Sequence, residues 1–322
     1  MNLLARRRAT PHTVDMRVTV GGVALASPIV AASGTFGHGA EVLRLVDPAR
    51  LGAVTVKSLA AFEWDGNPAP RLHAATGGGM LNSVGLQGPG VEAWIADELP
   101  ALRAASVPVI VSLWGRSVDD FARATALLAP AADACAAIEL NVSCPNVEDA
   151  SRMFAHSPEA THAVVAAVRA AGVDRPLFAK LSPNTFEVVA VARAAVDAGV
   201  EGLTLVNTLL GLGIDAELRR PLLGGVTGGY SGAPIKPVAL RVVHEVTRAL
   251  PGTAVIGTGG VTTGTDAVEM LLAGASAVGV GTINFHEPRA VNRIHDELAA
   301  WCAERDVARV ADLVDGLTTE GT

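Results

Sequence analysis

The sequence predicts an α/β fold of one kind, a single (β/α)8 or TIM barrel, and three observations predict it. Eight short, apolar, β-branched runs recur along the chain, stretches with helical spacing lie between them, and the runs show almost no polar alternation. Strands covered by helices on one face and packed into a barrel on the other read as continuous apolar segments, whereas a half-solvated strand alternates. A doubly wound open sheet would share the order of strands and helices. It would also bring a G-x-G-x-x-G turn after the first strand, and none follows Ile29–Gly34.

The first element is a small hairpin over Arg17–Leu25, with Gly21 and Gly22 at its centre, and it is expected to plug the barrel bottom. The barrel strands follow as Ile29–Gly34, Ala53–Ser58, Pro108–Leu113, Ala137–Val142, Leu177–Leu181, Gly202–Thr208, Ala254–Gly259 and Ala277–Thr282. Helices are expected over Val91–Ala105, Asp119–Leu128, Glu159–Ala171, Phe186–Ala198, Ile235–Leu250, Thr265–Ala273 and Pro288–Ala300. Two connections, Leu59–Pro89 and Leu209–Pro234, are too long for plain turns after a strand. In a barrel both fall over the C-terminal face, where long loops form lids and binding surfaces. No low-complexity linker interrupts the chain, so residues 1–322 read as one domain.

Composition narrows the functional classes. Half of the residues are apolar and only 4% aromatic, so the core is built from Ala, Val, Leu and Ile. A net charge of −7, from 25 basic and 32 acidic residues, provides no basic face for a nucleic acid. No run of about 18 apolar residues is long enough to span a membrane. Met1–Arg8 carries Arg6, Arg7 and Arg8 but no apolar stretch follows, so a cytoplasmic protein with no membrane contact is expected. Cys135, Cys144 and Cys302 are odd in number and lack C-x-x-C spacing, which argues against a disulfide framework or a zinc site.

The chemistry is concentrated where the strands end. Polar residues close every run: Ser33 with Gly34, Lys57 with Ser58, Ser112, Asn141, Lys180, Asn207 with Thr208, Gly259 with Gly260, and Gly281 with Thr282. Any one of these reads as an ordinary turn residue, but their recurrence on all eight strands marks the C-terminal mouth as a site. The glycines after strands seven and eight let backbone N–H groups approach a phosphate, and Gly232 in the preceding loop adds another. Only three lysines occur in the chain, at 57, 180 and 236, among 25 basic residues. Lys57 and Lys180 end strands, where a compact ammonium suits an anionic ligand or a flavin that gains charge on reduction. Lys236, beside Pro237, reads as the opening of a helix. Cys144 precedes a proline on a polar loop, whereas Cys135 and Cys302 lie in Ala-rich helical surroundings and read as inert.

At this point the residues resemble a known family. Asn82-Ser-Val-Gly-Leu-Gln87, Asn141-Val-Ser-Cys144-Pro-Asn146, Lys180-Leu-Ser-Pro183, Asn207-Thr-Leu-Leu-Gly211, Ser231-Gly232 with Ile235-Lys236-Pro237, and Gly281-Thr282-Ile-Asn284-Phe285 are similar to segments of class 1 dihydroorotate dehydrogenases. The likeness runs from about Arg17 to Leu298. Gly85 to Gly90 and Asn207 to Gly211 look like the 1B subgroup, the NAD-linked catalytic subunit, rather than the fumarate-using 1A subgroup. The resemblance implies oxidation of dihydroorotate to orotate, in pyrimidine (UMP) biosynthesis, with hydride passing to FMN and a proton to a cysteine base.

Carried over by position, it implies FMN contacts at Ser33, Lys57, Ser58, Ser112, Asn141, Lys180, Val206, Gly232, Gly259, Gly260, Gly281 and Thr282. It implies substrate contacts at Lys57, Asn82, Ser83, Val84, Gly85, Leu86, Asn141, Asn146, Asn207 and Thr208. Cys144 falls on the position of the base, and Lys57 joins it in the reaction. The implied partner is an iron–sulfur flavoprotein subunit carrying FAD, docked on a homodimeric core. One departure lies after Asn146, where the family has a Gly-rich stretch and this chain has Val147-Glu-Asp-Ala-Ser-Arg152. Two other readings share these residues: a dihydropyrimidine dehydrogenase-like flavin subunit acting on uracil, and a flavin-free, phosphate-binding barrel lyase or isomerase.

Overall fold

The computed structural model of the chain describes residues 14–143 and 153–318. Eight strands close into a parallel barrel: β1 (Ile29–Ala31), β2 (Ala53–Thr55), β3 (Val109–Leu113), β4 (Ala137–Asn141), β5 (Leu177–Leu181), β6 (Gly202–Leu205), β7 (Ala254–Thr258) and β8 (Ala277–Val280). Each strand pairs with the next, and β8 returns to β1 through Val278–Ile29, Gly279–Val30 and Val280–Ala31. Nearly every strand residue is buried, as a strand walled in on both faces requires. The expected strands all form. Several ladders stop two or three residues early, at Ala31, Thr55, Leu205 and Val280, and the polar residues beyond them line the mouth.

Helices α1 (Val91–Asp97), α2 (Leu99–Ala105), α3 (Val118–Leu128), α4 (Pro158–Ala170), α5 (Val188–Asp197), α6 (Lys236–Ala249), α7 (Gly264–Leu272) and α8 (Ala290–Glu304) occupy the intervals. The segment expected as one helix over Val91–Ala105 is two. Pro100 lies in the first turn of the second and supplies no N–H to the turn before it, so the helix breaks at Glu98. Capping boxes open α3 at Ser117 with Asp120 and α7 at Thr263 with Asp266. Burial of one face per helix on the barrel joins Trp94, Phe121, Val164, Val191, Val243 and Leu298 to the strand residues in one contiguous apolar cluster.

The hairpin forms from Val18–Val20 and Val23–Leu25, and Gly21 and Gly22 take φ of 53° and 81° as its tight turn demands. It lies against the bottom of the barrel, where a side chain at Gly21 would stand 3.1 Å from the Glu201 carbonyl oxygen and collide with Phe178. At the opposite end the two long connections combine into one antiparallel sheet. Its order is Leu209–Leu212, Thr227–Gly232, Gly79–Asn82, Leu72–Ala75, and it stands over the barrel mouth as a canopy.

Close strand packing makes one glycine diagnostic. Gly202 begins β6, and a Cβ there would overlap the buried Phe178 ring and lie 3.0 Å from the Ala254 carbonyl oxygen. Gly202→Ala is expected to destabilise the barrel by about 1–3 kcal/mol, the usual penalty for overpacking a filled core. The check is a urea titration: the midpoint falls with an unchanged slope, and an unmoved midpoint rejects this account of the barrel floor.

Candidate active site

A cavity of about 660 Å³ lies between the barrel mouth and the canopy. That volume is ample for a cofactor or substrate, since small-molecule sites commonly enclose about 300–1,000 Å³. The barrel contributes Ser33, Lys57, Ser58, Asn141, Lys180, Val206, Asn207 and Thr208 to its wall, and Gly259, Gly260, Gly281 and Thr282 beside the last two strands. The canopy contributes Asn82, Val84, Gly85, Leu86 and Gly232. Two expected contacts do not line it. Ser112 is fully buried one layer below and bonds to Ser58 (Oγ–Oγ 2.9 Å), and Ser83 is buried behind the canopy, accepting from Asn67 at 2.8 Å. Cys144, Asn146 and the segment Val147–Arg152 lie outside the described residues.

The floor of the cavity is a hydrogen-bonded polar network. Register brings Ser112 opposite Glu139, and Lys180 opposite both Asn141 and Thr204. Glu139 is 2% exposed, and its carboxylate accepts from Ser112 at 3.2 Å and from Thr204 at 2.9 Å. Lys180 Nζ stands 3.7 Å from the same carboxylate, with its side chain 7% exposed. Above them the Asn141 amide donates to Ser58 at 3.1 Å, and Asn207 donates to Ser143 at 2.9 Å. A buried pair of charges is tolerable only when its remaining valences are satisfied, and the two hydroxyls do this for Glu139. Sequence reasoning missed Glu139. The available signal was an acidic residue in the otherwise apolar run of Ala137–Asn141.

Lys57 approaches from β2, its Nζ so near Gly34 that a side chain there would stand 3.5 Å from it. Ser33 is tied to the same strand by a 2.8 Å bond from its hydroxyl to the Val56 carbonyl oxygen. On the far side Gly259 and Gly260 take φ of 132° and 78°, and a Cβ on either would come within 2.7 Å of Ala239 or Lys236. The turn is therefore bare backbone at the cavity wall. Asp266 braces it by accepting from the N–H groups of Thr262 and Thr263 at 2.8 and 2.9 Å. Lys236 does open α6, as the sequence suggests, and its ammonium is held by Asp266 at 2.5 Å and Glu269 at 2.6 Å. Burial works against ionisation of Asp266, yet the Lys236 ammonium and the Thr262 donors outweigh it and hold its carboxyl below the usual range.

Comparison with known proteins decides the family. Residues 15–301 match the family model described as dihydroorotate dehydrogenase. The chain belongs to the dihydroorotate dehydrogenase family. It is 44% identical over 305 residues to a dihydroorotate dehydrogenase B (NAD(+)), catalytic subunit, of Geotalea uraniireducens, covering 95% of this chain and 99% of that one. It is 48% identical over 300 residues to the protein of the same name from Alkaliphilus metalliredigens, covering 93% and 98%. The fold matches a crystal structure of DHODH in complex with ferulenol from Eimeria tenella, with a TM-score of 0.77 at 21% identity over 98% of this chain and 91% of that one.

The cysteines in view behave as the sequence reading expects of inert thiols. Burial pushes both Cys135 and Cys302 up to about 11, which leaves them protonated at neutral pH. No helix among the described residues is long and apolar enough to cross a membrane.

Histidine near the mouth makes stability pH-dependent. Burial, reinforced by the Lys57 ammonium, holds the His38 imidazole below its ordinary range against a weaker pull from Glu41. Burial likewise lowers His156 and His295. A histidine lowered on folding binds fewer protons folded than unfolded. The stability it supports is therefore whole above the unfolded value of about 6.5 and is lost as the pH falls from there through the folded value. His38→Gln should lessen the drop in thermal midpoint between pH 7.5 and about 5. Equal drops in the variant and the native protein would contradict the assignment.

Proposed function

We propose that this chain binds FMN in the cavity under the canopy and oxidises dihydroorotate to orotate, a step of pyrimidine biosynthesis. One observation carries the reading beyond family membership: a single cavity is lined by two lysine ammoniums, three asparagines and a bare glycine turn. The residues fit the cofactor. Gly259 and Gly260 line the cavity with no side chains of their own, packed so close to Ala239 and Lys236 of α6 that none would fit, which leaves their backbone for a phosphate to approach, and the Thr258 hydroxyl on the same wall is buried without a partner among the described residues. Ser33, Ser58, Asn141, Lys180, Val206, Gly232, Gly281 and Thr282 would complete the FMN site, with Ser112 supporting Ser58 from below. When bound, FMN supplies the acceptor for the hydride lost from C6 of the substrate.

The chain's own residues supply the rest. Asn82, Asn141 and Asn207 offer amide groups to the imide edges of the pyrimidine, and the Lys57 ammonium faces its carboxylate. Val84, Gly85, Leu86 and Thr208 close round the ring and keep out water. Cys144 takes the C5 proton, a role suited to a thiol whose ordinary value near 8.5 leaves some thiolate at neutral pH. Ser143, the residue before it, is buried and bonded to both Asn141 and Asn207, which supports a base held beside the ring. Asn146 would join the substrate from the same loop.

The reading includes a cytoplasmic, homodimeric core and a partner subunit. The relatives' printed name, a catalytic subunit linked to NAD(+), supports a second subunit. The sequence holds three cysteines, two of them buried in the apolar core, whereas an iron–sulfur cluster usually takes four. The partner is therefore proposed as an iron–sulfur flavoprotein with FAD.

Two outcomes test this. Purified protein should carry about one FMN per chain and oxidise dihydroorotate with a dye as acceptor, while Cys144→Ala loses at least about 10²-fold in turnover with FMN retained. Colourless protein that takes up no FMN, or turnover of uracil in place of dihydroorotate, defeats the assignment. The second is a comparison of acceptors on the chain alone: dye reduction is rapid and NAD reduction slow until the partner is added. Rapid unaided use of NAD removes the need for a partner, and rapid use of fumarate moves the chain to the 1A subgroup.

A further inference from the structure

Glu139, 2% exposed, is a buried carboxylate beneath the cavity that the proposed chemistry does not use, and its bonds have a consequence for the residues above it. A carboxylate accepts and does not donate, so the Ser112 hydroxyl, 3.2 Å away, spends its proton on Glu139. Ser112 Oγ is then left only to accept, and Ser58, at 2.9 Å, must give it a proton. The Ser58 oxygen has no proton left for its other neighbour. The group of Asn141 that meets it at 3.1 Å must therefore be the amide nitrogen. The other end of Asn141 agrees, since its oxygen receives the hydroxyl of Ser143 at 3.2 Å and the amide of Asn207 at 3.4 Å. Donor sense, usually ambiguous for an amide, is thus set from the buried end. One N–H of Asn141 goes to Ser58, and the second, with no partner among the described residues, is left for an acceptor in the cavity.

The same carboxylate lies behind the Lys180 ammonium at 3.7 Å, both side chains nearly inaccessible to solvent. Seen from the cavity, it offsets part of the positive charge that Lys180 presents. We propose that Glu139 is a positioning residue with two separable duties: it tempers the Lys180 ammonium beneath the cofactor, and through Ser112 and Ser58 it makes Asn141 a hydrogen-bond donor to the bound pyrimidine. The inference rests on the flavin and pyrimidine reading of the cavity given above.

Two variants separate the duties. Ser112→Ala breaks the chain while leaving Glu139 and Lys180 in place, and Ser112 itself does not line the cavity. Orotate affinity, read from the perturbation of flavin absorbance, should fall about tenfold while the flavin midpoint potential stays put. Ser112→Thr, which keeps the hydroxyl, should restore the affinity. Glu139→Gln retains an acceptor oxygen, which the Lys180 ammonium keeps on the Ser112 side with the amide nitrogen turned to Thr204. Orotate affinity should then stay within about threefold of native. Loss of the charge leaves Lys180 untempered and favours the reduced, more negative flavin about tenfold, which raises the potential of a two-electron couple by about 30 mV. Should Glu139→Gln not fold, Glu139→Asp draws the charge back by one methylene and gives a shift of the same sign.

An unchanged orotate affinity in Ser112→Ala overturns the chain, and an unchanged potential in the charge variants overturns the tempering of Lys180. Native protein that binds neither FMN nor orotate is a failure of the functional reading. Native protein that binds both, beside variants that match it, is a failure of this inference alone.

Discussion

Closure of the barrel, through the short parallel ladder between Ile29–Ala31 and Ala277–Val280, is the constraint on which the rest of the molecule depends. An open sheet would leave two edges of unpaired N–H and C=O groups, and burying them under helices would be costly. Once the ring is closed, every strand is walled by helices outside and by its neighbours inside. Polar side chains then have few places to go: the rim, or an interior position with complete hydrogen bonding. Ser33, Lys57 and Asn207 take the first course, and Glu139 with Ser112, Thr204 and Lys180 takes the second. The site follows from the ring, since eight strand ends converge on one opening and bring together residues far apart in sequence, as the bond between Thr35 and Asn284, 249 positions apart, illustrates.

The opening would be shallow without the canopy. Its strands come from two connections far apart in sequence, and glycine lets them lie close. A side chain at Gly228 would collide with the Asn82 backbone, one at Gly229 with Thr208, and one at Gly79 with the Tyr230 ring. The sheet therefore descends onto the rim instead of standing above it. The same packing links the two walls of the cavity: Thr208, on the barrel side, touches the strand that pairs with Asn82 on the canopy side.

Much of this was legible in the residues, for physical reasons that also explain the rest. A strand buried on both faces has no choice but to be apolar, so all eight barrel strands stand out, and the polar groups that end them mark the mouth. The hairpin turn was legible because Gly21 and Gly22 need left-handed backbone. The canopy strands were not, because Thr227–Gly232 is half glycine and has little intrinsic preference for a strand. Close approach explains its composition, with Gly228 against Asn82 and Leu223, Gly229 against Thr208, and Gly232 against Gly78. Depth was also hidden. Ser112 and Ser58 both end strands, yet one lines the cavity and the other supports it, a distinction that depends on strand tilt and stagger within the ring. Glu139 escaped notice for the same reason, as its partners come from three other strands.

The near absence of lysine has a practical side that follows from where the three side chains lie. Lys180 is buried against Glu139, and Lys236 is clasped by Asp266 and Glu269. Lys57 is half-buried at the cavity wall. Everywhere else the chain carries its positive charge on arginine, whose guanidinium remains protonated and is a poor nucleophile toward acylating agents. Side-chain amines are therefore almost confined to the neighbourhood of one cavity. Acylation or reductive methylation becomes a probe of that cavity rather than of the surface, and crosslinkers that require an exposed amine find few points of attachment on the outer helices.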